Sequence, residues 1–152
     1  MVDFYISTQG DYWQISHNWL IGDPCVNLWY GIGCDIDHHI VSIHFFENHL
    51  TGIFPPSFVN LIWLKHLSIF NDARYYENLD VYHRNSIYVW DNKIMSKLWS
   101  LEEINLCNLD MWGRINEDFV KNMTNLRFLN IAANKFNESL PNIPEWANIK
   151  HL

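Results

Sequence analysis

The sequence predicts an α/β-type solenoid, with short parallel strands stacked side by side and a return segment after each. Three observations predict it. An apolar spacing recurs four times, as Ile40-x-x-Ile43-x-Phe45-x-x-Asn48, Leu64-x-x-Leu67-x-Ile69-x-x-Asp72, Leu101-x-x-Ile104-x-Leu106-x-x-Leu109 and Leu126-x-x-Leu129-x-Ile131-x-x-Asn134. Gly and Pro follow these copies, in Leu50-Thr51-Gly52-Ile53-Phe54-Pro55-Pro56-Ser57-Phe58, Met111-Trp112-Gly113-Arg114-Ile115 and Leu140-Pro141. Residues before Ile40 do not repeat, which is what the closing end of a stacked core requires.

Residues 1–39 are read as an N-terminal cap. A short helix is expected over residues 2–7, broken by Gln9-Gly10-Asp11. Each repeat then opens with a strand. Ile43 and Phe45, Leu67 and Ile69, Ile104 and Leu106, and Leu129 and Ile131 alternate into a core, and the residues between them point out. One such strand cannot bury its face alone, so neighbours stack; this is the leucine-rich-repeat pattern. Asn48 and Asn134 end their strands at a turn, where a buried amide satisfies the backbone of adjacent turns. Asp72 is expected to do part of that work, and Leu109 none of it. The ladder is therefore expected to be imperfect in the third repeat.

The return side carries Gly for an unusual backbone angle and two prolines that exclude a long helix, so an extended or 3₁₀ convex side is expected. Repeat starts at 40, 64, 101, 126 and 149 give spacings of 24, 37, 25 and 23. The last copy, Ile149-x-x-Leu152, is cut short, so residues 40–152 hold about four and a half repeats in one structural domain. The long unit carries its excess near 73–93, with Tyr75, Tyr76, Tyr82, Tyr88 and Trp90. Two readings stand for these rings: a binding element on one rim, or a satellite core that pins a loop.

If the strands stack in register, three outward columns form on the concave sheet. They are Ser42, His66, Glu103 and Phe128; His44, Ser68, Asn105 and Asn130; and Phe46, Phe70, Cys107 and Ala132. Phe46 and Phe70 side by side suggest an apolar anchor for a protein or peptide, the alternative being cover by the chain's own insertion.

The segment Trp19-Leu20-Ile21-Gly22-Asp23-Pro24-Cys25 followed by Trp29-Tyr30-Gly31-Ile32-Gly33-Cys34 resembles the N-terminal cap of plant-type extracellular leucine-rich-repeat proteins, the receptor-like kinases, receptor-like proteins and their protist relatives. Asn48-His49-Leu50-Thr51-Gly52 and Pro55-Pro56-Ser57-Phe58 resemble the same family's repeat. The long second repeat, Leu109 in place of Asn, and the lack of a C-terminal cap depart from it. The resemblance implies a right-handed superhelix, a disulfide between Cys25 and Cys34, and ligand recognition rather than catalysis. It leaves Cys107 unpaired. Three reduced cysteines in a cytoplasmic scaffold are the alternative.

Sequons at Asn122-Met123-Thr124 and Asn137-Glu138-Ser139 fall in predicted turns and, with the cap cysteines, favour a secreted or cell-surface protein. Met1-Val2-Asp3-Phe4 lacks the basic start and apolar run of a signal peptide, and no apolar run is long enough to span a membrane. The sequence is therefore expected to be a piece of a longer protein, in which a kinase would be allowed. Its last strand ends on an open edge, which gives a rival role in self-association. The net charge of −7, from 10 basic and 17 acidic residues with no basic run, argues against nucleic acid and anionic membranes.

Catalytic motifs are absent, and Glu102 and Glu103 are adjacent on one strand, so they point to opposite sides. His38, His39, His44 and His66 match no zinc spacing, and neither a metal nor a cofactor is expected.

Overall fold

The structure, a computed structural model, describes residues 1–72, 84–137, 139–141 and 149. Tyr75, Tyr76 and Tyr82, Glu138 of the second sequon, and nearly all of the fifth repeat lie outside the described residues.

Helix α1 (Val2–Ser7) opens the chain and a 3₁₀ turn follows at Gly10–Tyr12. Strand β1 (Ile32–Cys34) then runs antiparallel to β2 (Ile40–Phe46), with Ile32 opposite Ile43. From β2 onward the sheet is parallel, through β4 (His66–Phe70), β6 (Glu103–Asn105) and β8 (Phe128–Asn130), in the order β1-β2-β4-β6-β8. The antiparallel β1 had no signal in the repeat spacing, because it belongs to the non-repeating segment.

Alternation sets the core. Ile43, Phe45, Leu67, Ile69, Ile104, Leu106 and Leu129 are buried, as are Leu64, Leu101 and Leu126, each three residues earlier in its repeat. The N-terminal segment adds a ring cluster. Phe4 is fully buried, with its centroid 5.8 Å from Trp13, 6.3 Å from Trp19 and 6.1 Å from Phe45. The indole N–H groups of Trp13, Trp19 and Trp29 donate to the carbonyls of Thr8, Tyr30 and Ile21, so these polar tips are not stranded by burial. Cys25 and Cys34 are joined by a disulfide, with their Cα atoms 5.7 Å apart.

The second side carries two short parallel pairs, β3 (Thr51–Gly52) with β5 (Ser86–Ile87), and β7 (Trp112–Gly113) with β9 (Lys135–Phe136). Gly52 at φ +150° lets the chain pass against the Ser7 carbonyl at the end of α1, where a Cβ would collide with backbone. The return of the first repeat is 3₁₀ at Pro56–Asn60, as its prolines require. The next two returns are not: α2 (Asn92–Met95) and α3 (Glu117–Asn122) are single α-helical turns or little more. Asp91 caps α2 by accepting from the N–H groups of Lys93 and Ile94, and Asn116 caps α3 by accepting from Phe119. These two segments contain no proline, so local caps suffice to close an α turn. Asn122 consequently ends a helix rather than sitting in a turn.

The ladder differs from its sequence expectation. Asn85, not Asp72, holds the second repeat. Its Oδ1 accepts from Asn48 N–H at 3.0 Å and Leu50 N–H at 3.1 Å, and its Nδ2 donates to the carbonyls of Phe45 and Phe70. Asn134 does the equivalent in the fourth repeat, accepting from Leu109 and Met111 and donating to Leu106 and Ile131. The repeat frame therefore resumes at Asn85, and Ile87 falls where Leu50 falls, both fully buried. Trp90 also belongs to the frame: it is buried with its ring 4.8 Å from Phe119. The interruption lies between Asn71 and Asn85, narrower than the expected 73–93. Leu109 is fully buried and contributes no amide. Asn71 bridges that interval, accepting from Asn85 N–H at 2.7 Å and donating to the carbonyls of Asn85 and Asn108.

Candidate functional site: the concave sheet

Parallel pairing in register brings the outward residues into columns. Ser42 faces His66, His66 faces Glu103, and Glu103 faces Phe128. His44 lies opposite Ser68, then Asn105, then Asn130. Phe46 lies opposite Phe70, with ring centroids 5.0 Å apart, and the His44 ring meets Phe70 edge-on at 5.8 Å. Phe46 is 43% exposed although it lies in the middle of an apolar pair. The alternative that the chain's own insertion covers this pair rests on residues outside the described ones.

Two depressions share the face. One, of about 530 Å³, is lined by His44, Phe46, Phe70, Asn71, Asp72, Asn105, Cys107 and Asn130. The other, of about 360 Å³, is lined by His66, Leu67, Ser68, Glu103, Asn105 and Phe128. Asn105 lies on the boundary between them. Its Oδ1 is buried and makes no hydrogen bond. Such an acceptor has lost its water without gaining a partner, a cost of about 1–3 kcal/mol. Ser42 lines neither depression; its hydroxyl is turned against Gly33 of β1. Ten column residues line the two depressions: His44, Phe46, His66, Ser68, Phe70, Glu103, Asn105, Cys107, Phe128 and Asn130. Asn71 and Asp72 are not among the columns, because the repeat count places the ladder residue at Asp72 and so treats this turn as structural.

The face is acidic where it is charged. Glu103 Oε2 lies 3.2 Å from His66 Nδ1, and Glu47 Oε1 accepts from Asp72 N–H. No Lys or Arg occupies an outward position of β2, β4, β6 or β8. Lys65 sits just before β4 and pairs with Glu102 at 3.7 Å.

Chemistry beyond binding finds little here. Burial pushes the Cys107 thiol up, and nearby Asp72 adds to this against a hydrogen bond with Asn130. A nucleophilic cysteine needs the opposite shift. Away from the sheet, Asp35, Asp37 and His39 bring ligand-type atoms within 4.8 Å of one another, a grouping the sequence reading did not single out. Asp35 Oδ1 already accepts from the N–H groups of Asp37 and His39, and the His39 bond holds its carboxyl below the ordinary value. No helix among the described residues is long and apolar enough to cross a membrane.

No protein-family model matches the sequence, and no curated protein matches it. Solved structures do. A plant ice-binding protein superposes with a TM-score of 0.74 at 20% identity, covering 99% of this chain and 44% of that one. The BIR3–SERK2 complex from Arabidopsis thaliana gives 0.69 at 17%, covering 100% and 79%. The Arabidopsis receptor kinase HAESA, in complex with the peptide hormone IDA and the co-receptor SERK1, gives 0.62 at 24%, covering 82% and 18%. The chain has the leucine-rich-repeat fold. The resemblance to plant-type extracellular proteins of this kind holds at the level of fold. The chain spans less than half of the ice-binding protein and a smaller part still of HAESA.

Proposed function

We propose that this chain is a non-enzymatic recognition module that binds a peptide or protein segment on its concave sheet, as part of a secreted or cell-surface receptor-like protein. The observation that carries the reading is the Phe46–Phe70 pair, with ring centroids 5.0 Å apart and left in contact with solvent beside a depression of about 530 Å³. Covering a half-exposed Phe contributes on the order of 1 kcal/mol, so two adjacent rings make an anchor. His44, His66, Ser68, Glu103, Asn105, Phe128 and Asn130 supply specificity around it, with Ser42 at the margin. The same reading takes the solenoid as a right-handed superhelix closed at one end by its N-terminal helical segment. The disulfide and the exposed Asn122 and Asn137 suit an oxidising, glycosylating compartment. Peptide and co-receptor complexes among the fold relatives support the direction of the proposal.

The test is selection of a random peptide library on the immobilised chain, with counter-screening against Phe70→Asp. Clones that bind the parent and lose that binding in the variant, at unchanged Tm, are expected. Clones indifferent to Phe70→Asp, or no clones at all, would overturn the reading.

A further inference from the structure

The concave face presents two unlike demands at fixed positions, and together they specify a ligand. The first is apolar: the Phe46–Phe70 pair at the ends of β2 and β4. The second is anionic: Glu103, 59% exposed at its side chain, at the start of β6 and opposite His66. Asn105, which lines both depressions, lies between the two.

Spacing follows from the strands themselves. Phe70 lies four residues beyond His66 on β4, and Glu103 is paired with His66. At about 3.3 Å per residue, roughly 13 Å separates the apolar and anionic positions along the strand direction. An extended peptide covers the same distance in about four residues. Its residues i and i+4 lie on one face, and the backbone between them carries N–H donors. A helix would cover only about 6 Å in four residues and would keep its N–H groups for itself. Charge selects the sign of the second anchor, because no Lys or Arg stands at an outward sheet position to neutralise Glu103 or to attract an acidic ligand.

We propose that the occupant is an extended peptide segment with a bulky apolar residue at the Phe46–Phe70 pair and an Arg or Lys four residues away at Glu103. This rests on the reading that the concave sheet is the binding face, and it adds the class of ligand. Arg suits the second anchor better than Lys, because its planar fork can take a carboxylate with two parallel bonds.

The experiment measures fluorescence anisotropy with labelled synthetic decapeptides on the intact chain. One pair carries Leu and Arg at i and i+4, in either order along the chain. Controls move Arg to i+3, or replace it with Glu. Tighter binding of at least one i,i+4 peptide is expected, with an affinity loss of tenfold or more on the Arg to Glu change. Glu103→Gln should weaken the Arg peptide about three- to tenfold and should not weaken the Glu peptide. Glu103 is exposed, so Glu103→Gln is expected to keep the parental circular dichroism and Tm. Equal binding of the Arg and Glu peptides, or of the i+3 and i+4 spacings, would overturn the ligand class. If library clones require Phe70 but carry no basic residue, the concave reading survives and this inference falls. If neither library nor decapeptides engage the face, both fall.

Discussion

Replacing Asn85 with Ala tests the reassigned ladder directly. The side chain is fully buried and makes four hydrogen bonds to backbone, two accepted and two donated. Alanine leaves the N–H groups of Asn48 and Leu50 with no acceptor from this side chain. Each buried donor so orphaned costs about 1–3 kcal/mol, giving roughly 2–6 kcal/mol for the pair. The carbonyl side costs less, because Phe70 O still accepts from Glu47 N–H at 3.2 Å. The expected loss is therefore about 3–5 kcal/mol. Asp72→Ala is the internal control. In the sequence frame Asp72 held the ladder; in the structure its position is taken by Asn85, and the substitution should cost less than about 1 kcal/mol. Urea unfolding followed by tryptophan fluorescence gives both numbers, read as a shift in Cm at constant m. Trp90 reports near the mutation and Trp13, Trp19 and Trp29 report at the N-terminal end. If Asp72→Ala costs as much as Asn85→Ala, or if Asn85→Ala costs under about 1 kcal/mol, the reasoning about the frame is refuted.

Two further outcomes follow from the geometry. Removing the Cys25–Cys34 bridge by a double substitution to Ala should cost roughly 2–3 kcal/mol, since the closed loop spans a separation of only 9 residues; urea titration of the two forms measures it. Asp110 should make stability depend on acid pH. Burial pushes its carboxyl up, but the hydrogen bond from Lys135 at 2.8 Å and the charges of Arg84 and Lys135 outweigh this and hold it below its ordinary value. A depressed carboxylate adds stability that is fully present above the unfolded value of about 4 and is lost as pH falls through the folded one. Asp110→Asn should therefore flatten the fall of Cm with pH below about 4 and leave the neutral region less stable than the parent. A parallel fall in both proteins would count against the Arg84–Asp110–Lys135 cluster.

The strands were legible because their signal is chemical and local. Ile43 and Phe45 or Leu129 and Ile131 must alternate into the core, and a slip by one residue would turn both to solvent. The outward columns followed from the same parity. The ladder was legible only where Asn stood at the expected count. In the second repeat the chain leaves the frame after Asn71 and rejoins it at Asn85, and a count from Leu64 cannot see a detour. The signal was present in Asn85-x-Ile87, which copies Asn48-x-Leu50 and Asn134-x-Phe136. It was hidden because Tyr88 and Trp90 read as part of an aromatic insertion. Depressions, and the stranded Oδ1 of Asn105, need three strands placed together, and no single segment encodes them. The convex helices were missed for a simpler reason: the prolines of the first return were extended to returns that have Asp91 and Asn116 instead.

The reassigned ladder also bears on how the candidate site is held. Phe70 is the last residue of β4, and the next residue, Asn71, is nine-tenths buried or more with its amide bonded to Asn85 and Asn108. Asn85 in turn donates to Phe70 O, and Glu47 beside Phe46 donates its N–H to the same carbonyl. Both aromatic anchors are thus followed at once by backbone that has no freedom to move without breaking buried bonds. Arg84 extends the clamp, with Nη2 donating to Asn108 Oδ1 at 2.8 Å and lying 3.4 Å from Asp110. Binding to a surface already fixed in this way loses less conformational entropy than binding to a loop that must first be ordered. The interruption of the repeat is therefore bounded on both sides by residues of the ladder. The two residues that bound it, Asn71 and Asn85, are tied to each other by their amides, and Asn85 also holds the Phe70 carbonyl at the end of β4.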